Sequence, residues 1–103
     1  MELFKNLIYE YKKGIRDLSL HTCEKQDLST YLAILKQLNT QYLITEPAKN
    51  KVNIYFGNPL CLKILKNFSS IKLNELTPQE DFILGIMLGY SRNEQYKRIL
   101  SRI

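Results

Sequence analysis

The sequence predicts an α+β fold: a small sheet of about three strands, one strand plus an antiparallel hairpin, packed with four to five helices in a single domain. Three observations predict it. Apolar residues recur at helical spacing near both ends of the chain. Two alternating segments near the middle flank a short turn that contains Pro47. Two helix starts carry proline at the first helical position, Pro59 and Pro78. With 103 residues the chain is long enough for one domain and not two, so residues 1–103 are taken together.

Leu3, Phe4, Leu7, Ile8, Tyr11 and Ile15 share one helical stripe, with Lys5, Asn6, Glu10, Lys12 and Lys13 between them. The pattern predicts a helix over Glu2 to Lys13, stopped at Gly14. Tyr9 to Lys12 also alternates, so residues 2–13 as part of a long first strand stays open. Asp17 to Thr22 alternates with period two and reads as a strand, with Leu18 and Leu20 facing the core. Thr22 is then the expected N-cap of a helix over Cys23 to Asn39, with Leu28, Tyr31, Leu32, Leu35 and Leu38 as its stripe.

Gln41 to Glu46 and Lys51 to Phe56 read as strands joined by the turn Pro47–Asn50. Val52, Ile54 and Phe56 fall on one face of the second strand, Asn53 and Tyr55 on the other. Asn58 caps the next helix, whose expected apolar side is Leu60, Ile64, Leu65 and Phe68. Thr77-Pro78-Gln79-Glu80 is the sharpest local signal, a capping box. The helix that follows carries Phe82, Ile83, Ile86, Met87 and Tyr90 on one face, widened by Leu84 and Leu88. Gly85 and Gly89 leave a smooth patch for a close neighbour. Tyr96, Ile99, Leu100 and Ile103 mark a last amphipathic stretch, continuous with that helix or broken near Ser91.

These blocks resemble a small bacterial family known as domain of unknown function 2023. Tyr9 to Arg16, then Leu18 with Leu20-His21-Thr22, carry the likeness. Asn53 to Gly57, Leu73 to Gly85 and Met87 to Tyr90 continue it, in order, over nearly the whole chain. The Leu-Asn-Glu-Leu-Thr-Pro run, Leu73 to Pro78, is its most specific block. The resemblance implies three strands with several helices, homodimers and genes lying beside flavodoxin. It implies no activity and no catalytic residues.

Composition narrows the function classes. The longest apolar run, Phe82 to Tyr90, is half of what a bilayer span needs, and Met1 to Tyr11 lacks a secretory pattern. A cytoplasmic location with no membrane partner is the expectation. Cys23 and Cys61 are expected as free thiols, and a lone His21 removes zinc motifs built on paired histidines. No cofactor or metal is expected. Glu80 and Asp81 are neighbours that point different ways on a helix, so they make no carboxylate dyad.

Two surfaces remain as candidates. Between Pro47 and Asn74 there are five lysines and no acid, and the net charge is +5. Such a basic region attracts an anionic partner. Lys49, Lys51, Lys63 and Lys66 are the expected contacts, with Tyr55 on the outer face of the sheet. Ser19, His21 and Cys23 share one side of the first strand and are assigned to the same face as Tyr55. Three functions follow in order of preference. The first is a non-catalytic homodimeric module docking an acidic protein such as a flavodoxin. The second is a nucleic-acid-binding protein using Tyr55 as a stacking platform. The third is a small thiol enzyme using Cys23 and His21.

Overall fold

The computed structural model describes residues 1–103. Five helices accompany a three-stranded antiparallel sheet. They are α1 (Glu2–Lys12), β1 (Leu18–Glu24), α2 (Leu28–Gln37), β2 (Gln41–Ala48), β3 (Lys51–Gly57), α3 (Pro59–Lys66), α4 (Pro78–Met87) and α5 (Arg92–Arg102). The strand order is β1-β3-β2, so the most apolar strand takes the centre. Val52 through Gly57 are all buried, as a central strand covered on both faces requires.

Each sheet face has its own core. On one face Val52, Ile54 and Phe56 pack with Phe4 of α1, Leu35 of α2 and Cys23 of β1. On the other, Tyr55 and Leu18 pack with Cys61, Leu62 and Leu65 of α3, then Leu76, Leu84 and Leu88. The molecule is therefore a helix–sheet–helix sandwich, which buries more apolar surface than a two-layer domain of this length.

Residues 2–12 are helical, which excludes the long first strand. The N-terminal side of α2 moves from the expected position. Glu24 still lies opposite Lys51 in the β1–β3 ladder, and the Lys25 N–H donates to the Asn50 carbonyl at 2.9 Å. Sheet pairing thus holds residues 23–25 out of the helix, and a 3-10 turn over Lys25–Asp27 makes the corner. Thr22 is no N-cap; its hydroxyl meets Asn53 Oδ1 across the ladder at 2.6 Å. The hairpin turn is also shorter than expected. β2 runs on through Pro47 with an irregularity between Thr45 and Ala48. Pro47 is tolerated because β2 is an edge strand and the bulge frees its nitrogen from the ladder.

The two helix starts with strong local signals form as the sequence indicates. Asn58 accepts from the Leu60 N–H at 2.9 Å. Thr77 Oγ1 accepts from the Glu80 N–H at 3.1 Å while Glu80 accepts from the Thr77 N–H at 3.0 Å. The chain breaks after α4, where Gly89 at φ 79 turns the backbone and Ser91 caps α5. Gly57, at φ 136, has a second constraint: a Cβ there would run into the Asp17 carbonyl oxygen. That close approach lets β1 begin directly beside the end of β3.

Helix rotation differs from the sequence expectation in α3 and α4. The sheet-facing residues of α3 are Cys61, Leu62 and Leu65, while Leu60 and Ile64 are exposed. In α4, Leu84, Gly85 and the following Leu88 face inward, and Ile83, Ile86 and Tyr90 are exposed. Both helices carry apolar residues on more than one side, so periodicity did not single out the buried one.

Candidate interaction surface

The predicted contacts separate once the chain is folded. Lys49 and Lys51 sit at the tip of the β2–β3 hairpin, and Lys63 and Lys66 on the outside of α3, which starts beyond the opposite end of β3. Lys51 donates to Glu24 Oε1 at 2.6 Å, so its charge is already matched; that contact raises its pKa. Lys49, Lys63 and Lys66 join no ion pair, which leaves them exposed as uncompensated charge.

Tyr55 is not a surface residue. Its side chain is fully buried beneath α3 and α4, so it can neither meet a partner nor stack on a base. Its hydroxyl has no hydrogen-bond partner, and burial, with the nearby Tyr90 phenol, raises its pKa. The sequence counted Tyr55 as outward because it alternates with Val52, Ile54 and Phe56. In a sheet covered on both faces, alternation says which core a residue joins, not whether it is exposed.

Ser19, His21 and Cys23 lie on the opposite face from Tyr55. They pair with Phe56, Ile54 and Val52, and directly opposed residues point the same way. All three are buried under α1 and α2. Burial is the main cause raising the Cys23 thiol pKa, with Asp27 and Glu24 adding to it against Lys51. That direction is opposite to what an activated nucleophile needs. Cys61, on the other core, is likewise raised by burial and by Asp17. The two thiols occupy opposite sides of the sheet and remain free.

The glutamate of the capping box has a structural use as well. Glu80 accepts from the backbone N–H groups of Thr77 and Ser69, which lowers its pKa. Asp81 instead pairs with Arg98 of α5, at 2.6 and 3.1 Å, and with Arg102 at 3.3 Å. Their separate partners confirm that they form no dyad.

Of these lysines, Lys63 alone lies in an apolar setting that the sequence assigned to the core. Leu60 is 65% exposed, and Ile64 and Ile83 are also exposed. Lys63, Ile64, Asn67, Phe68, Glu80 and Ile83 line a shallow groove of about 390 Å³ between α3 and α4. The missed signal was the one-position offset between Leu60/Ile64 and Cys61/Leu65: two apolar rows on one short helix leave one row without a core. No helix is long and apolar enough to cross a membrane.

No curated protein matches the chain. The Leu73 to Pro78 run builds the 3-10 turn and the cap that lead into α4, closing the second core over Tyr55. That block lies within a family match covering residues 2–102, so the chain belongs to the family described as protein of unknown function (DUF2023).

Proposed function

We propose that this protein is a non-catalytic, homodimeric interaction module that docks an acidic protein partner, such as a flavodoxin, on its α3–α4 face. The observation that carries the reading is the groove where exposed Ile64 and Ile83 lie with Lys63, which has no ion-pair partner. Apolar residues supply contact area that survives desolvation, and the lysines select negative charge and speed encounter. Binding of this kind weakens as salt rises, because exposed charges are screened beyond about 8 Å at physiological ionic strength.

The test is binding of a purified flavodoxin, measured by calorimetry at low and high salt. Lys63→Glu with Lys66→Glu is expected to weaken it by at least about tenfold, with the circular dichroism spectrum unchanged. Equal affinity for the double variant at low salt would refute this surface.

Self-association is assigned to a different face. Tyr96, Leu100 and Ile103 form one exposed stripe along α5, at i, i+4 and i+7. Leu100→Glu is expected to convert a dimer to a monomer by sedimentation at micromolar concentration. A wild-type chain that sediments as a monomer there, or a variant that stays dimeric, contradicts the assignment.

A further inference from the structure

A cleft of about 440 Å³ opens at the hairpin end of the sheet, between β2 and the turn that precedes α4. Thr45, Glu46 and Asn53 line it from the sheet, and Lys72, Asn74 and Glu75 line it from the turn. None of these residues belongs to the α3–α4 groove. We infer that the cleft binds a free α-amino acid with a carboxamide side chain. That side chain meets Asn53 on the floor, and the α-carboxylate and α-ammonium groups meet Lys72 and Glu75 on the rim.

Asn53 is the first reason. The central strand is otherwise apolar from Val52 to Phe56, and asparagine is disfavoured in strands. Asn53 is only 4% exposed, yet it lines the cleft. Its Oδ1 accepts from Thr22 Oγ1 of β1 at 2.6 Å. The amide nitrogen is thereby turned away from β1, toward the side where Thr45 of β2 is the cross-strand partner. That nitrogen donates to no group of the chain, and it is not enclosed. The enclosed side-chain atoms without a partner belong to Ser19, His21 and Tyr55. An open donor at the base of a cleft is available to a ligand oxygen.

The sheet itself changes character at this row. Leu20, Tyr55 and Leu43 stand side by side in the core beneath α3 and α4. Thr22, Asn53 and Thr45 form the next row on the same face. Directly after Thr45 the β2–β3 pairing becomes irregular. Bulges of this kind re-aim side chains beside functional sites.

Charge selects the ligand. Of the three charged residues that line the cleft, Glu46 is matched by Lys25 at 3.2 Å. Lys72 and Glu75 join no ion pair, with each other or with any other residue. Glu75 Oε1 accepts from the Ser70 hydroxyl at 2.8 Å, which leaves its other oxygen without a partner. One free cation and one free anion therefore border the same polar space. A ligand of single charge matches only one of them, whereas a zwitterion matches both through charge-assisted hydrogen bonds.

The experiment is a titration of the 15N-labelled full chain with L-glutamine, against N-acetyl-L-glutamine, L-glutaminamide and L-norleucine. Glutamine is expected to shift the Asn53 side-chain NH2 signals and the Thr45 and Asn74 amides saturably. The three analogues remove the ammonium, the carboxylate and the carboxamide in turn, and each should bind about tenfold more weakly. Lys72→Gln should weaken glutamine by about the same factor and leave glutaminamide unchanged. Glu75→Gln should weaken glutamine likewise and leave N-acetylglutamine unchanged. Both positions are exposed, so the two variants should keep the parent spectrum away from the cleft. No saturable shift at millimolar glutamine overturns the site. Norleucine binding as tightly as glutamine overturns the role of Asn53, and equal binding of either singly charged analogue overturns the zwitterion specificity.

Discussion

Phe4→Ala is expected to destabilise the protein by about 3–5 kcal/mol, the range for deleting a fully buried aromatic side chain. Phe4 is the only fully buried residue of α1. Its ring meets His21 at 5.0 Å, Tyr31 at 4.7 Å and Phe56 at 5.4 Å between centroids, so one side chain links α1 to β1, α2 and β3. The edge-to-face geometry with His21 and Tyr31 adds to the area term. Leu7 and Ile8 are only partly buried and cannot collapse into the gap without pulling α1 across the sheet. Domains of this kind hold about 5–15 kcal/mol in total, so the variant should lose a large part of its margin. Urea unfolding measures the loss. A cost below about 1 kcal/mol would mean that α1 contributes little to the fold. Proteolysis at the exposed Lys12–Gly14 segment separates local from global loss. Cleavage that accelerates while the sheet stays folded would show that α1 opens alone.

Local signals explain how much of this architecture the sequence carried. The Thr77 capping box, the Asn58 cap, the hairpin and the helical stripe of α1 each depend on residues within a few positions of one another. Their hydrogen bonds close over the same short distance. What failed depended on pairing across the chain. Cys23 and Glu24 have helix-compatible neighbours, yet Val52 and Lys51 hold them in the ladder. Tyr55 looked exposed because its row on β3 includes Asn53, but α3 and α4 cover that row. His21 went to the wrong face because register, not alternation within one strand, decides which residues share a side. Leu60 and Ile64 looked like core because they are apolar. Cys61 and Leu62 joined the expected Leu65 against the sheet instead, and the candidate docking groove is what remained. The proposed surface thus arises from tertiary contacts between α3 and α4.

Acid is expected to weaken the fold through His21 before any carboxylate takes part. The imidazole is 7% exposed and lies between the rings of Phe4 and Tyr31, at 5.0 and 4.7 Å. Neither ring nitrogen has a hydrogen-bond partner, and nor does the Ser19 hydroxyl on the same face. The Cys23 thiol beside it on β1 is raised and stays neutral through the acid range. Desolvation first, then the N-terminal ammonium, lowers the His21 pKa below its ordinary 6.5. The unfolded chain therefore takes up a proton below about pH 6.5 while the folded chain still resists it. Stability is full above that pH and falls beneath it, by at most about 1.4 kcal/mol for each pH unit, until the folded imidazole also protonates. Glu80 acts later: its pKa is lowered from 4.5, so its contribution is lost only as the pH falls through and below that value. His21→Phe keeps a ring between Phe4 and Tyr31 and removes both unsatisfied nitrogens. Its urea midpoint should stay level from pH 7 to 5, where the parent's declines, and should exceed the parent's at pH 5.5. A parent midpoint that is already level, or a decline of equal slope in the variant, would place the acid-sensitive group elsewhere. The same substitution leaves the α3–α4 groove untouched, so partner binding at neutral pH should be unchanged while acid tolerance rises.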